Sequence, residues 1–140
     1  MDSSVPYKTL IQNAIKMLDY SYVPYSHFHV GAALFTSEGE IYTGCNIENA
    51  SYGPSNCAER TAFFKAVSEG KKSFKAIAIV GGPDGVIKDF CPPCGVCRQV
   101  MSEFCGPDFE IILAKSPDVY IVKKLDEILP LRFGAEDMEK

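Results

Sequence analysis

The chain has no excess of positive charge, no long apolar run and no internal repeat, linker or low-complexity segment, and each absence narrows what it can be. Its 14 Lys and Arg stand against 18 Asp and Glu, a net charge of −4. Affinity for nucleic acid comes mainly from Lys and Arg neutralising phosphates, so the acidic balance argues against a nucleic-acid partner. No stretch approaches the roughly 20 apolar residues needed to span a bilayer, so no membrane partner is expected. The N-terminus MDSSVPYKTL has neither the basic n-region nor the apolar h-region of a secretory leader, which points to an intracellular, cytoplasmic protein. What is present is 140 residues, 46% of them hydrophobic, enough for one packed core and a single domain over residues 1–140.

The apolar pattern divides that domain into alternating elements. From Pro6 to Asp19, Leu10, Ile11, Ala14, Ile15 and Leu18 recur at helical spacing, and Pro6 suits a first turn. SYVPYSHF reads as an irregular connection, and Phe28 to Phe35 as a strand buried on both faces. Ser37, Glu38 and Gly39 turn the chain into a second strand, Glu40 to Cys45, and NIENASYGPSN, rich in Asn, Ser, Gly and Pro, is expected to be loop. A helix over Cys57 to Val67 precedes a strand over Phe74 to Val80, stopped by Gly81-Gly82-Pro83. A cysteine-rich loop then leads to a helix over Cys94 to Phe104, two late strands in EIILA and VYIVKK, and a short final helix. Strands interleaved with helices predict an α/β fold: a three-layer α-β-α sandwich on a mixed sheet of about five strands.

Six cysteines in a reducing compartment call for metal binding or catalysis rather than disulfides. Cys91, Cys94 and Cys97 crowd into seven residues, and Cys57 stands beside Glu59 at another helix start. Thiols three apart on a helix are neighbours, tetrahedral zinc accepts thiolates at about 2.3 Å, and a helix N-terminus favours the thiolate. Counting alone leaves two arrangements open. Cys57, Cys91, Cys94 and Cys97 together would close a structural site, whereas three ligands leave a position for water. Glu59 favours the second, because a carboxylate beside the metal has a use only where a proton must be moved. Residues two apart on a regular helix point about 200° apart, so Cys57 and Glu59 must both lie at the very start of theirs. Three thiolates on Zn²⁺ carry a charge of −1, for which Arg60, Arg98 and the two helix N-termini are the candidate counter-charges.

Cys57-Ala58-Glu59-Arg60 followed by Pro93-Cys94-Gly95-Val96-Cys97-Arg98-Gln99 resembles the zinc site of the cytidine deaminases. PYSHFHVGAAL is similar to that family's first buried strand, GCNIENASYG to its ribose-binding loop and ILPLRFGAED to its C-terminal segment, so the likeness covers nearly the whole chain. The resemblance implies one Zn²⁺ per subunit held by Cys57, Cys94 and Cys97, with Cys91 outside the motif and Glu59 as the proton shuttle. It implies ribose contacts from Asn46 and Glu48, packing of Phe28 on the pyrimidine, and a backbone contact from Ala58 to the base. Phe133 and Tyr52 match positions that complete a neighbouring subunit's pocket, so a homotetramer is expected. The reaction implied is hydrolytic deamination of cytidine and 2′-deoxycytidine in pyrimidine salvage. His27, His29, Pro92 and Cys91 depart from the family pattern.

Plainer readings stand beside these. Cys45, Cys105 and Cys91 fit buried small hydrophobes, and His27 and His29 fit structural positions. Arg60 reads equally as a solvated helix residue, Asn46, Glu48 and Asn49 as turn formers, and Phe28 and Phe133 as core aromatics. Two other functions compete: a four-cysteine structural zinc module that binds a partner, and a thiol oxidoreductase that leaves Glu59 and Cys57 without a role. A related deaminase acting on a cytosine-containing nucleoside antibiotic would share the zinc site and differ in the pocket around it.

Overall fold

The computed structural model describes residues 5–139. Helix α1 (Tyr7–Lys16) forms where Leu10, Ile11 and Ala14 share one face, and all three are buried. It ends before Asp19. Met17–Tyr20 tighten into a 3-10 turn that still buries Leu18, so the apolar spacing outlasts the α-helix that it suggests.

Strand β1 (Phe28–Thr36) turns through a hairpin into β2 (Ile41–Cys45), with Ala33 opposite Thr43 and Phe35 opposite Ile41. Helix α2 (Ala58–Ser68) leads to β3 (Phe74–Pro83), and α3 (Gly95–Phe104) leads to β4 (Glu110–Ser116). β5 (Val119–Lys124) and the short α4 (Leu125–Ile128) follow, and a 3-10 segment over Ala135–Glu139 closes the described chain. The five strands are ordered β2-β1-β3-β4-β5. Only β3 and β4 are parallel, the crossover between them carrying α3.

The strand period of two sorts the core. Ala32, Leu34, Ile77, Ile79, Ile111 and Leu113 face α2 and α3, while Ala33, Phe35, Ala76, Ala78, Val80 and Ile112 face α1. This is the three-layer sandwich expected. Phe63 of α2 is fully buried against Phe74, edge to face at 5.1 Å, and lies near Phe104 and Phe109, which fixes the height of α2 over the sheet. The approach is close: a Cβ on Gly44 of β2 would lie 2.4 Å from the Ala58 carbonyl oxygen.

β3 differs from the expected strand. It does not stop at Val80 but runs through both glycines, pairing Val30 with Gly81, His29 with Gly82 and Phe28 with Pro83. The glycines are not breakers here; they admit other chain at close range, since a Cβ on Gly82 would fall 1.9 Å from the Val86 carbonyl oxygen. Among the described residues, no helix is long and apolar enough to cross a membrane.

Candidate active site

Cys57 and Cys94 occupy equivalent positions, each capping the N-terminus of a helix with extended backbone, α2 for Cys57 and α3 for Cys94. That resolves the angular problem of Cys57 and Glu59. Cys57 is not yet helical, so its sulfur turns outward past the helix end while Glu59, in the first turn, turns inward and is 4% exposed. Cys97 follows one turn into α3 and is buried.

The three sulfurs converge. Cys94 Sγ lies 3.7 Å from Cys57 Sγ and 3.5 Å from Cys97 Sγ, and all three sulfurs fall within 4.8 Å of one another. Four ligands at about 2.3 Å from a tetrahedral zinc are separated by about 3.8 Å, so the two shorter separations match tetrahedron edges and all three sulfurs lie within reach of one ion. Among the described residues no other group of three or more Cys, His, Asp or Glu is so placed. Cys91 stands outside the trio, so the four-thiolate site is not assembled.

Charge around the sulfurs is asymmetric. Arg60 Nη2 donates to Cys57 Sγ at 3.3 Å, while its buried Nε has no hydrogen-bond partner among the described residues. Arg98, the other candidate counter-charge, donates Nε to the Pro93 carbonyl and Nη1 to the Ile128 carbonyl, both at 2.8 Å, and so ties the loop before α3 to α4. The Cys57 thiol is pulled down to about 5 by hydrogen bonding from Cys97, and further by Arg60 and Cys94. Burial pushes the Glu59 carboxyl up to about 7, and the negative charge of Cys57 pushes the same way. Burial likewise lifts the Cys91 thiol to about 11.

A cavity of about 130 Å³ opens beside Glu59, lined by Val30, Asn46, Cys57, Ala58, Glu59, Cys91, Pro92 and Cys94. Of its walls, sequence reasoning passed over Val30, named Pro92 only as a departure from the family pattern, and weighed Cys91 as a metal ligand rather than a wall. Only the position of Cys91 beside the Pro93-Cys94 motif gave a signal for it. Asn46 is locked in place: its Oδ1 accepts from the Val30 amide at 2.9 Å and its Nδ2 donates to the Phe28 carbonyl at 2.8 Å.

The remaining predicted residues lie around this cavity rather than in it. Glu48 accepts from the Tyr25 and Ser26 amides, each at 3.1 Å, and from the Ser26 hydroxyl, whose oxygen accepts the Phe28 amide. The Ser26 hydroxyl, and behind it the two amides, hold the Glu48 carboxyl below its ordinary range. Glu48 and Tyr52 share a separate cavity of about 390 Å³ with Tyr25, Ser26, Asn49 and Ser55. Phe28, at the start of β1, borders a third cavity with Gly81, Pro83 and Phe90. Tyr52 and Phe133 are 74% and 59% exposed. His29 Nδ1 meets the Leu18 carbonyl at 3.0 Å, the structural position expected of it.

Residues 5–112 match the model for the cytidine and deoxycytidylate deaminase zinc-binding region. A cytidine deaminase of Sporosarcina psychrophila is 47% identical over 129 residues, 92% of each chain. One of Halalkalibacterium halodurans is 49% identical over 129 residues, 92% of this chain and 95% of that one. The crystal structure of cytidine deaminase from Burkholderia pseudomallei superposes with a TM-score of 0.84 at 43% identity, over 92% of this chain and 100% of that one. With three thiols at zinc spacing beside a buried carboxylate, and with these likenesses along nearly its whole length, the chain belongs to the cytidine and deoxycytidylate deaminase zinc-binding family.

Proposed function

We propose that this chain hydrolyses cytidine and 2′-deoxycytidine to uridine and 2′-deoxyuridine with release of ammonia. The observation that carries the reading is the buried Glu59 beside three sulfurs spaced for tetrahedral zinc. Cys57, Cys94 and Cys97 would hold the metal, one ion per subunit. A zinc ion with three protein ligands keeps a position for water and lowers that water's pKa towards 7.

The chain's own residues supply the proton transfers. As water adds to C4 of the ring, the Glu59 carboxylate accepts its proton and delivers it to N3. The Glu59 carboxylate then takes the proton of the new C4 hydroxyl and passes it to the departing amine, so that the C4–N bond breaks, ammonia leaves and C4 keeps the oxygen as a carbonyl. Acid–base assistance of this kind contributes about 10²–10⁴-fold. Arg60, hydrogen-bonded to Cys57, offsets the excess negative charge of three thiolates.

Substrate positioning falls to the surrounding loops. Asn46 and Glu48 hold the ribose hydroxyls, Phe28 packs on the ring and the Ala58 backbone meets the base. Asn46 and Glu48 are already fixed by hydrogen bonds to the segment that carries Phe28, which supports their acting together. At about 130 Å³ the cavity beside Glu59 is smaller than the roughly 300 Å³ at which small-molecule pockets begin. Exposed Tyr52 and Phe133 are suited to enclosing the substrate of another copy, as in a homotetramer. Free thiols at all six cysteines suit the reducing cytoplasm, where the enzyme would serve pyrimidine salvage.

The test is ammonia release from cytidine, 2′-deoxycytidine, cytosine, cytidine monophosphate and a cytosine-containing nucleoside antibiotic, run beside metal analysis and gel filtration. Release from the two free nucleosides, lost by about 10²-fold or more in Glu59→Gln with metal retained, is the expected result. A Glu59→Gln variant that keeps most of its rate would overturn the assignment.

A further inference from the structure

One wall of the cavity beside Glu59 has no part in the chemistry so far described. Cys91 lines it next to Pro92, in company with Cys57, Glu59 and Cys94, which places it at the reacting end. It is not one of the clustered sulfurs.

The thiol is positioned from behind by β3. A Cβ on Gly81 would lie 2.9 Å from Cys91 Sγ, 3.2 Å from Cys91 Cβ and 3.1 Å from the His29 carbonyl oxygen, so only glycine lets Cys91 sit back against the strand. Gly81 pairs with Val30, itself a wall of the cavity. Cys91 belongs to the connection between β3 and α3, but it rests on two paired strands, which should hold its position better than a free loop would.

We propose that Cys91, backed by Gly81, sets the size of substituent that a cytosine ring can carry at its reacting end, on C5 or on the 4-amino nitrogen. The inference rests on the deaminase reading. When C4 is attacked beside Glu59, N3 is the ring atom that Glu59 serves. C5 and the exocyclic nitrogen are the other neighbours of C4, and Cys91 and Pro92 are the remaining walls there. A side chain ending at one sulfur leaves space that a longer one would fill. A single methylene in an apolar pocket changes discrimination by about 10- to 200-fold, and exchanging a thiol for hydrogen or for a branched alkyl group is a change of that kind.

The experiment compares kcat/KM for cytidine, 5-methylcytidine and N4-methylcytidine in the zinc-loaded wild type, Cys91→Ala, Cys91→Leu and Gly81→Ala. Cys91→Ala should raise the ratio of substituted to unsubstituted substrate about tenfold, and Cys91→Leu should lower it comparably. Gly81→Ala should lower the ratio by pushing the sulfur into the cavity, and combining it with Cys91→Ala should reverse that loss. A weakened fold lowers all substrates together and leaves the ratios alone. Calorimetric affinities for uridine and 5-methyluridine should shift in the same sense without turnover. If Cys91→Leu does not fold, Cys91→Ala decides. Unchanged ratios and affinities in Cys91→Ala, with the wild type active on cytidine, overturn this inference alone. A wild type inactive on cytidine overturns the deaminase reading and this inference with it.

Discussion

The two faces of the sheet are built from the same strands and differ in what covers them. Under α1 a buried apolar cluster joins Leu10, Ile11 and Ala14 to Ala33, Ala76, Ala78 and Ile112. Under α2 and α3 Phe63 and Met101 are fully buried as well, yet this layer also holds Glu59 and Cys97. Helix direction accounts for the difference. α2 and α3 both begin at one place, capped by Cys57 and Cys94, so their positive ends favour thiolates at a common point. α1 starts behind Pro6 on the other face and has no polar cap. One face is support; chemistry belongs to the face on which two helix starts converge.

That contrast can be broken by experiment. Cys94→Ser should have the largest effect, metal content falling towards zero and turnover by about 10³-fold or more, because it removes the sulfur adjacent to both others. Full metal content in the variant would mean that the sulfurs do not form one site. On the opposite face, Leu10→Ala should lower stability by about 2–5 kcal/mol in denaturant unfolding and leave turnover per folded, metal-loaded molecule unchanged. A fall in that turnover would show that α1 is not mere support. The smallest effect concerns the loop that carries Phe28. Glu48 has a depressed folded pKa, so its contribution to loop order is complete above about pH 4.3 and is lost as pH falls through the folded value. The Tyr25 and Ser26 amide resonances should move over that acid range, and in Glu48→Gln they should not.

Much of this was legible in the residues. The strand pattern of β1, the helical spacing of α1 and the two Cys-bearing helix starts follow from periodicity and capping, which are local. The end of β3 was not legible, because Gly81 and Gly82 stop a strand or admit a close neighbour according to the course of the chain after them, which here folds Val86 back on Gly82 and Cys91 back on Gly81. The choice between three and four thiolates was not legible in spacing, although Glu59 and the family resemblance both favoured three. Cys91-Pro92-Pro93-Cys94 has the same spacing as Cys94-Gly95-Val96-Cys97, and only the fold reveals which sulfurs converge. Arg60 and Arg98 look alike in sequence, but one reaches a sulfur and the other two carbonyls.

The parallel pairing of β3 with β4 bears on how the protein is made. Cys57 lies in the connection before β3, and Cys94 and Cys97 in the crossover after it, so no local hairpin brings all three together. The antiparallel β1–β2 hairpin closes over a short turn, whereas the crossover closes a much longer loop at a greater entropic cost. During refolding, high-affinity metal uptake should therefore lag behind hairpin formation and coincide with docking of the crossover. The bound ion would then act as a latch on a contact that forms after the hairpin, reporting that a newly made chain has reached its native topology.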